Sequence, residues 1–251
     1  GIEILYNAAI AVDHRVAVGA LKSVLCTLTN VTNENKDGCD AVVGEDCRGL
    51  LVIASLIPWL ALSIEGFTLR DANERKRTRT PTDDSGSSLL NAALVLLVNI
   101  VEADATTADA LRNAMVRLPG DSSRGVSFVE ALTMLYLQSG GADEDEGEGD
   151  KETAEEAQHL TADMIKSYSS KTNGEDLILQ AYCGLLLAFL IEDDAALRAE
   201  VTSRFPEKPQ GTSRLKPLAD TLERFHAFHE SLNSISSASS ERLVKVVTWL
   251  R

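Results

Sequence analysis

Aromatic residues are scarce in this chain, at 5% of its 251 residues, and strand-like alternation of apolar and polar positions is hard to find anywhere in it. Sheets draw on β-branched and aromatic residues to pack their pleated faces, so that shortage argues against a β architecture. Long apolar runs are missing as well. The longest, Leu50 to Ile64 and Leu177 to Ile191, fall short of the roughly 18–20 residues that span a bilayer, and the first contains Pro58. They are expected to be core helices, with no membrane as partner. Positive charge is in deficit: 24 Lys and Arg stand against 38 Asp and Glu, for a net charge of −14. Direct nucleic-acid recognition, sequence-specific or not, needs clustered Lys and Arg against phosphate and is not expected.

Catalytic equipment is equally thin. An enzyme needs titratable groups that converge, and Gly-x-Ser-x-Gly, a phosphate-binding loop and Gly-x-Gly-x-x-Gly are all absent. His226 and His229 lie three apart on a helical stretch and could face one metal, but no third ligand motif accompanies them, so an ordinary helix face is the expected reading. His14 and His159 stand alone. Of four cysteines, Cys26 and Cys183 sit inside apolar helical runs, where a free thiol behaves as a small hydrophobe. Cys39 and Cys47 flank a short loop and could pair or bind metal, although their spacing matches no zinc signature. Reduced thiols in an intracellular protein are the expected state. No catalytic residue, cofactor or metal is therefore expected, and the chain reads as a non-enzyme.

What the chain does have is Leu and Ala at helical spacing, the composition of packed helices. The periodicity predicts helices over Arg15–Thr29, Arg48–Ile64, Ser88–Ala103, Ala105–Leu118 and Arg124–Gln138. Further helices are predicted over Thr153–Tyr168, Asp176–Ile191, Ala195–Arg204, Lys216–Leu232 and Glu241–Leu250, the last capped by the serines of Ser234–Ser240. Charge is unevenly placed: Ala142–Glu156 carries −8 of the net −14, leaving −6 for the rest. Residues 140–152 are expected to form a disordered acidic insertion, because they have nothing to bury. Residues 66–86 form a polar insertion, with five basic and two acidic residues between Arg70 and Arg79. Thr80-Pro81 within it is a candidate phosphosite, where Arg75, Lys76, Arg77 and Arg79 would attract the phosphate.

Two apolar helical runs close the same way, on Asn30 and Asn99. A helix apolar nearly all round is buried between others, and a polar group near its end must find partners. With the long insertion removed, the two asparagines are about 50 positions apart, near the 40–47 of HEAT and armadillo repeats. The fold expected is an all-α, HEAT/armadillo-like helical repeat solenoid forming a single domain over residues 1–251. Either Asn30 and Asn99 terminate their helices against neighbouring backbone, or they line a concave surface and bond a partner. Glu102, one turn beyond Asn99, is a candidate acceptor for a partner's Arg or Lys. Asn30-Val31-Thr32 matches a glycosylation sequon, read as coincidence because no signal peptide opens the chain. Helix-like sequence begins almost at once without an initiating Met, which suggests a fragment of something longer, with an apolar end face around Ile2, Ile4 and Leu5.

Several of these segments together resemble the wings apart-like (WAPL) cohesin-release proteins. Leu28-Thr29-Asn30-Val31-Thr32-Asn33-Glu34-Asn35, ending near Gly38, is similar to their Asn-Leu-Thr-x-(Asp/Glu)-Asn-x-x-Gly stretch. Leu96-Leu97-Val98-Asn99-Ile100-Val101-Glu102 resembles their Leu-x-Asn-Leu-Val-Glu helix, and Val129 to Leu137 resembles the helix before their acidic insertion, here starting at Asp143. Ile178 to Ile191, Arg204-Phe205-Pro206 and Leu222 to Leu250 follow in the family's order. The resemblance runs from about Val16 to the C-terminus. The family's domain is considerably longer, so the chain resembles its C-terminal part, and the basic loop Arg70–Thr82 has no counterpart.

The resemblance implies a nuclear, chromatin-associated, non-enzymatic regulator of cohesin that promotes its release from chromatin and so affects sister-chromatid cohesion through the cell cycle. Its implied partners are the SMC ATPase heads, the kleisin and the HEAT-repeat regulatory subunits. Asn30, Asn99, Glu102 and Met115 are then the expected partner-binding residues. A generic armadillo-like peptide-binding adaptor is the competing reading. Such a groove would align Asn30 and Asn99 beside tryptophans, and neither Trp59 nor Trp249 is next to an asparagine.

Overall fold

A computed structural model describes residues 14–63, 84–118, 121–139, 174–207, 212–232 and 235–251. The expected helix over Thr153–Tyr168, the acidic insertion, most of the polar insertion with Thr80, and the end face around Ile2 lie outside them. Among the described residues the chain is all-α except for one short hairpin.

The first helix, α1 (His14–Thr32), turns Leu21, Leu25, Leu28 and Thr32 inward at helical spacing. Ser23, Thr27, Thr29 and Thr32 each donate a hydroxyl hydrogen bond to the carbonyl four residues back, so a hydroxyl-rich segment still propagates as helix. Cys26 is exposed, against expectation: it sits one position past Leu25 and so rotates off the inward stripe. Cys183 is buried as expected.

A short helix that the periodicity misses, α2 (Lys36–Val43), follows. Its N-cap is Asn35, whose side-chain oxygen accepts from Gly38 N at 3.2 Å. Glycine is needed at 38, since a Cβ there would stand 2.3 Å from Val31 O. The eight-residue helix buries only Gly38, Cys39 and Val43, too few apolar positions to show a period. Cys39 and Cys47 are both free thiols.

The next two helices, α3 (Arg48–Ser63) and α4 (Asp84–Ala103), are apolar over most of their surface. Residues 84–86, placed in the polar insertion by composition, already belong to α4. Pro58 lies inside α3, buried, where a packed apolar face holds the helix together despite the missing donor. Following α5 (Thr106–Arg112) comes an antiparallel hairpin, β1 (Met115–Leu118) and β2 (Asp121–Ser127), pairing Val116 with Val126 and Met115 with Ser127. Helix was expected across β1 and over residues 124–127 of β2. Pro119-Gly120, a turn signal, stands between them in the sequence, in the gap between the two expected helices. An isolated hairpin is marginal in water; this one buries Val116 and Val126 and packs on α3 and on α6 (Phe128–Ser139).

The second half holds α7 (Gly174–Ile191), α8 (Ala195–Arg204), α9 (Lys216–Ser231) and α10 (Ser237–Leu250). Asp194 caps α8, accepting from Leu197 N at 2.9 Å, and Ser236 caps α10, which starts at Ser237, four residues before its expected start. The two central helices are α4, packed on α1, α3 and α7, and α7, packed on α4, α6 and α9. Gly184 marks where α7 approaches its neighbours most closely, since a Cβ there would meet Leu218 at 2.7 Å and Tyr136 at 3.2 Å. One continuous apolar cluster runs from Leu21 on α1 to Leu250 on α10.

Candidate functional site

The residues expected to meet a partner have separate fates. Asn30 is exposed near the end of α1. Asn99 is half-buried, and its Nδ2 donates to Thr29 O at 3.3 Å and to Thr32 Oγ1 at 3.2 Å. Thr29 O also accepts from Asn33 N at 3.0 Å, so the Asn99 amide adds a further bond from another helix and ties the end of α1 to α4. Cys39 strengthens this joint, its Sγ lying 3.4 Å from Thr32 O and 3.6 Å from Asn99 O. With its amide donor engaged there, Asn99 does not form a ladder with the exposed Asn30, which counts against the armadillo-like reading. Met115 is 66% exposed on β1, its side chain over Gly125 on the neighbouring strand.

Glu102 stands elsewhere, in a groove of about 420 Å³ where the C-terminal ends of α4 and α7 meet the first turns of α5 and α10. Val101, Ala105, Ala108, Phe189 and Ala238 form its apolar walls. Its charged rim comprises Glu102, Glu192, Asp193, Arg112 and Arg242. Both arginines are already held. Arg242 pairs with Glu192, and its guanidinium lies 5.2 Å from the centre of the Phe189 ring. Arg112 donates through Nε to Leu190 O at 2.7 Å, satisfying an end carbonyl of α7, and pairs with Asp109 at 2.6 Å. Among the described residues no ion pair engages Glu102 or Asp193.

Both carboxylates therefore keep acceptor capacity for something outside the chain. Desolvation in the groove raises the Glu102 pKa above its ordinary 4.5; Ser239 and Arg242 pull it down, and Glu34 adds to the rise. A carboxylate placed so gains from a desolvated cation.

Sequence singled out Glu102 but missed Asp193, Arg112 and Arg242. The abrupt change from Leu185–Ile191 to Glu192-Asp193-Asp194 does mark a helix end in the sequence. That this end faces Ala238 and Arg242, over 40 residues later, has no local signal. A second hollow on α8 offers less, because Arg198 already donates to Trp249 O and stacks on that ring, and Arg214 pairs with Glu207. The histidine pair is occupied with packing. His226 Nε2 lies 2.7 Å from Ser240 Oγ and 3.5 Å from Glu230, while His229 packs edge-on against Phe225 and Phe228. Burial, with His226 beside it, lowers the His229 pKa. Among the described residues no three His, Cys, Asp or Glu side chains converge as a metal site, and no helix is long and apolar enough to cross a membrane.

No family model matches the chain. It is, however, 30% identical over 240 residues to Wings apart-like protein 1 of Arabidopsis thaliana, an alignment covering 90% of this chain and 24% of that protein. The chain is wings apart-like. Wings apart-like protein 2 of the same plant agrees, at 26% identity over 235 residues, 90% of this chain and 26% of its own length. This wings apart-like chain thus spans about a quarter of the length of the curated relatives it matches.

Proposed function

We propose that this wings apart-like chain is a non-enzymatic regulator that binds cohesin in the nucleus and promotes its release from chromatin. The observation that carries the reading is 30% identity to Wings apart-like protein 1 across 90% of the chain. The fold supports it: helices joined by one continuous core form a stiff platform, suited to holding partner surfaces in a fixed geometry. The chemistry of ring opening falls to the partner's own ATPase, and this chain supplies binding energy. Only a difference in affinity between open and closed rings shifts their balance, at about 1.4 kcal/mol per tenfold change. The partner surfaces are the SMC ATPase heads, the kleisin and the HEAT-repeat subunits; exposed Asn30, Glu102 and Met115 are available to them.

Two measurements test this reading. Immobilised chain should capture purified cohesin, and free chain should increase the loss of cohesin preloaded on circular DNA. A correctly helical chain that does neither defeats the proposal for this span.

A further inference from the structure

We infer that the groove between the C-terminal ends of α4 and α7 receives an arginine side chain carried on an extended segment of a protein partner. The identity of that partner rests on the cohesin reading above, whereas the chemistry of the groove does not.

Charge complementarity selects the occupant. The groove's own cations are neutralised, Arg242 by Glu192 and Arg112 by Asp109 and the Leu190 carbonyl. Each of its two helix N-termini, which otherwise attract anions, already has an amide engaged by a side chain: Asp104 accepts from Thr106 N at 2.9 Å and Ser236, the N-cap of α10, accepts from Ser239 N at 3.3 Å. What remains without an ion pair among the described residues is negative, namely Asp193 and Glu102, the latter held only by the Ser239 hydroxyl and the more distant charge of Arg242, at the C-terminal ends of α7 and α4. An anionic segment is thereby excluded and a cationic one favoured.

Shape narrows the choice further. The cavity of about 420 Å³ has apolar walls at Val101, Ala105 and Ala108, against which an aliphatic stem lies while its charged head stays on the polar rim. A guanidinium presents several donors in a planar fork and can address two separate carboxylates, which suits it to Glu102 and Asp193 better than a compact ammonium. The volume exceeds that of one side chain and leaves room for flanking backbone, hence an extended segment.

The test is a titration of the full 251-residue chain, labelled at its alanine methyls, with the amidated peptide Ac-Gly-Ala-Arg-Ala-Gly and its uncharged citrulline twin. Saturable shifts of the Ala105, Ala108 and Ala238 methyls are expected, with at least tenfold weaker binding of the citrulline peptide. The double variant Glu102→Gln/Asp193→Asn, shown by circular dichroism to be equally helical, should lose the response. No shift with the arginine peptide, equal binding of both peptides, or a response that survives in the double variant overturns the inference. Cohesin capture separates the two proposals. If wild type and double variant capture cohesin equally, the groove is not the contact and the cohesin reading stands. If neither captures cohesin while the arginine response is present, the cohesin reading fails and the groove stands.

Discussion

The middles of α4 and α7 and the ends of the same two helices obey different physics. In the middle, Leu94, Leu97, Leu186 and Leu187 are fully buried, and their contribution is dispersion and exclusion of water. At the ends, Glu102 and Asp193 are exposed and, among the described residues, without an ion pair, beside walls only partly apolar. One helix pair thus holds the protein together along its length and presents unsatisfied charge at its tip. Stability and recognition occupy separate turns, so a change at one should barely register at the other.

The largest effect should come from cutting into the middle. Leu186→Ala removes a side chain with no exposure, and about 2–5 kcal/mol of unfolding free energy should disappear in a denaturant titration. A loss below 1 kcal/mol would mean that the α4–α7 contact is not the centre of the core. Next comes Asn99→Ala, which strips Thr29 O and Thr32 Oγ1 of a donor at the α1–α4 joint. About 1–2 kcal/mol is expected from the same titration; a variant of wild-type stability but impaired binding would move Asn99 from the scaffold to the contact surface. Tyr136→Phe deletes the hydroxyl that meets Thr221 at 3.1 Å inside the core, and about 1 kcal/mol should be lost in the melt. Burial pushes this phenol up to about 12, so in the native protein its absorbance should fail to titrate near 10.

The smallest effect belongs to the tip. Glu102→Gln should change stability by no more than about 0.5 kcal/mol, in the favourable direction at neutral pH. The folded-state pKa is raised, so above it the charged carboxylate disfavours the folded form. That disadvantage shrinks as the pH falls through the raised value towards the ordinary 4.5 and is absent below it. Stability of wild type and variant measured from pH 7 to pH 4 should therefore converge at the acid end. Divergence there would show that Glu102 is stabilised by a partner within the chain, and the contrast between tip and middle would weaken.

Legibility in the sequence follows the range of the interactions. Helices α3, α4, α7, α8 and α9 were readable within a few residues, because α3, α4 and α7 are long apolar runs, α9 carries an apolar stripe and α8 opens on its Asp194 cap. The hairpin was not: Val116 and Val126 are short apolar signals that fit a helical pattern equally well, and only packing on α3 and α6 makes strands favourable. Helix α2 escaped because its stability comes from the Asn35 cap and the close approach at Gly38 rather than from an apolar stripe. Cys26 was misplaced for a related reason, since a residue inside an apolar run can still point outward once the helix phase is fixed by its neighbours.

That this chain is helical, that α4 and α7 are buried nearly all round, and that it is related to wings apart-like proteins could be read from its residues alone. All of these are carried by the order and spacing of residues along the chain. Tertiary structure alone decided that Asn99 fastens α1 and that Glu102 shares a groove with Asp193, Arg112 and Arg242. Local pattern states which face of a helix must be covered, but not which distant element covers it. The site is made where those distant ends meet.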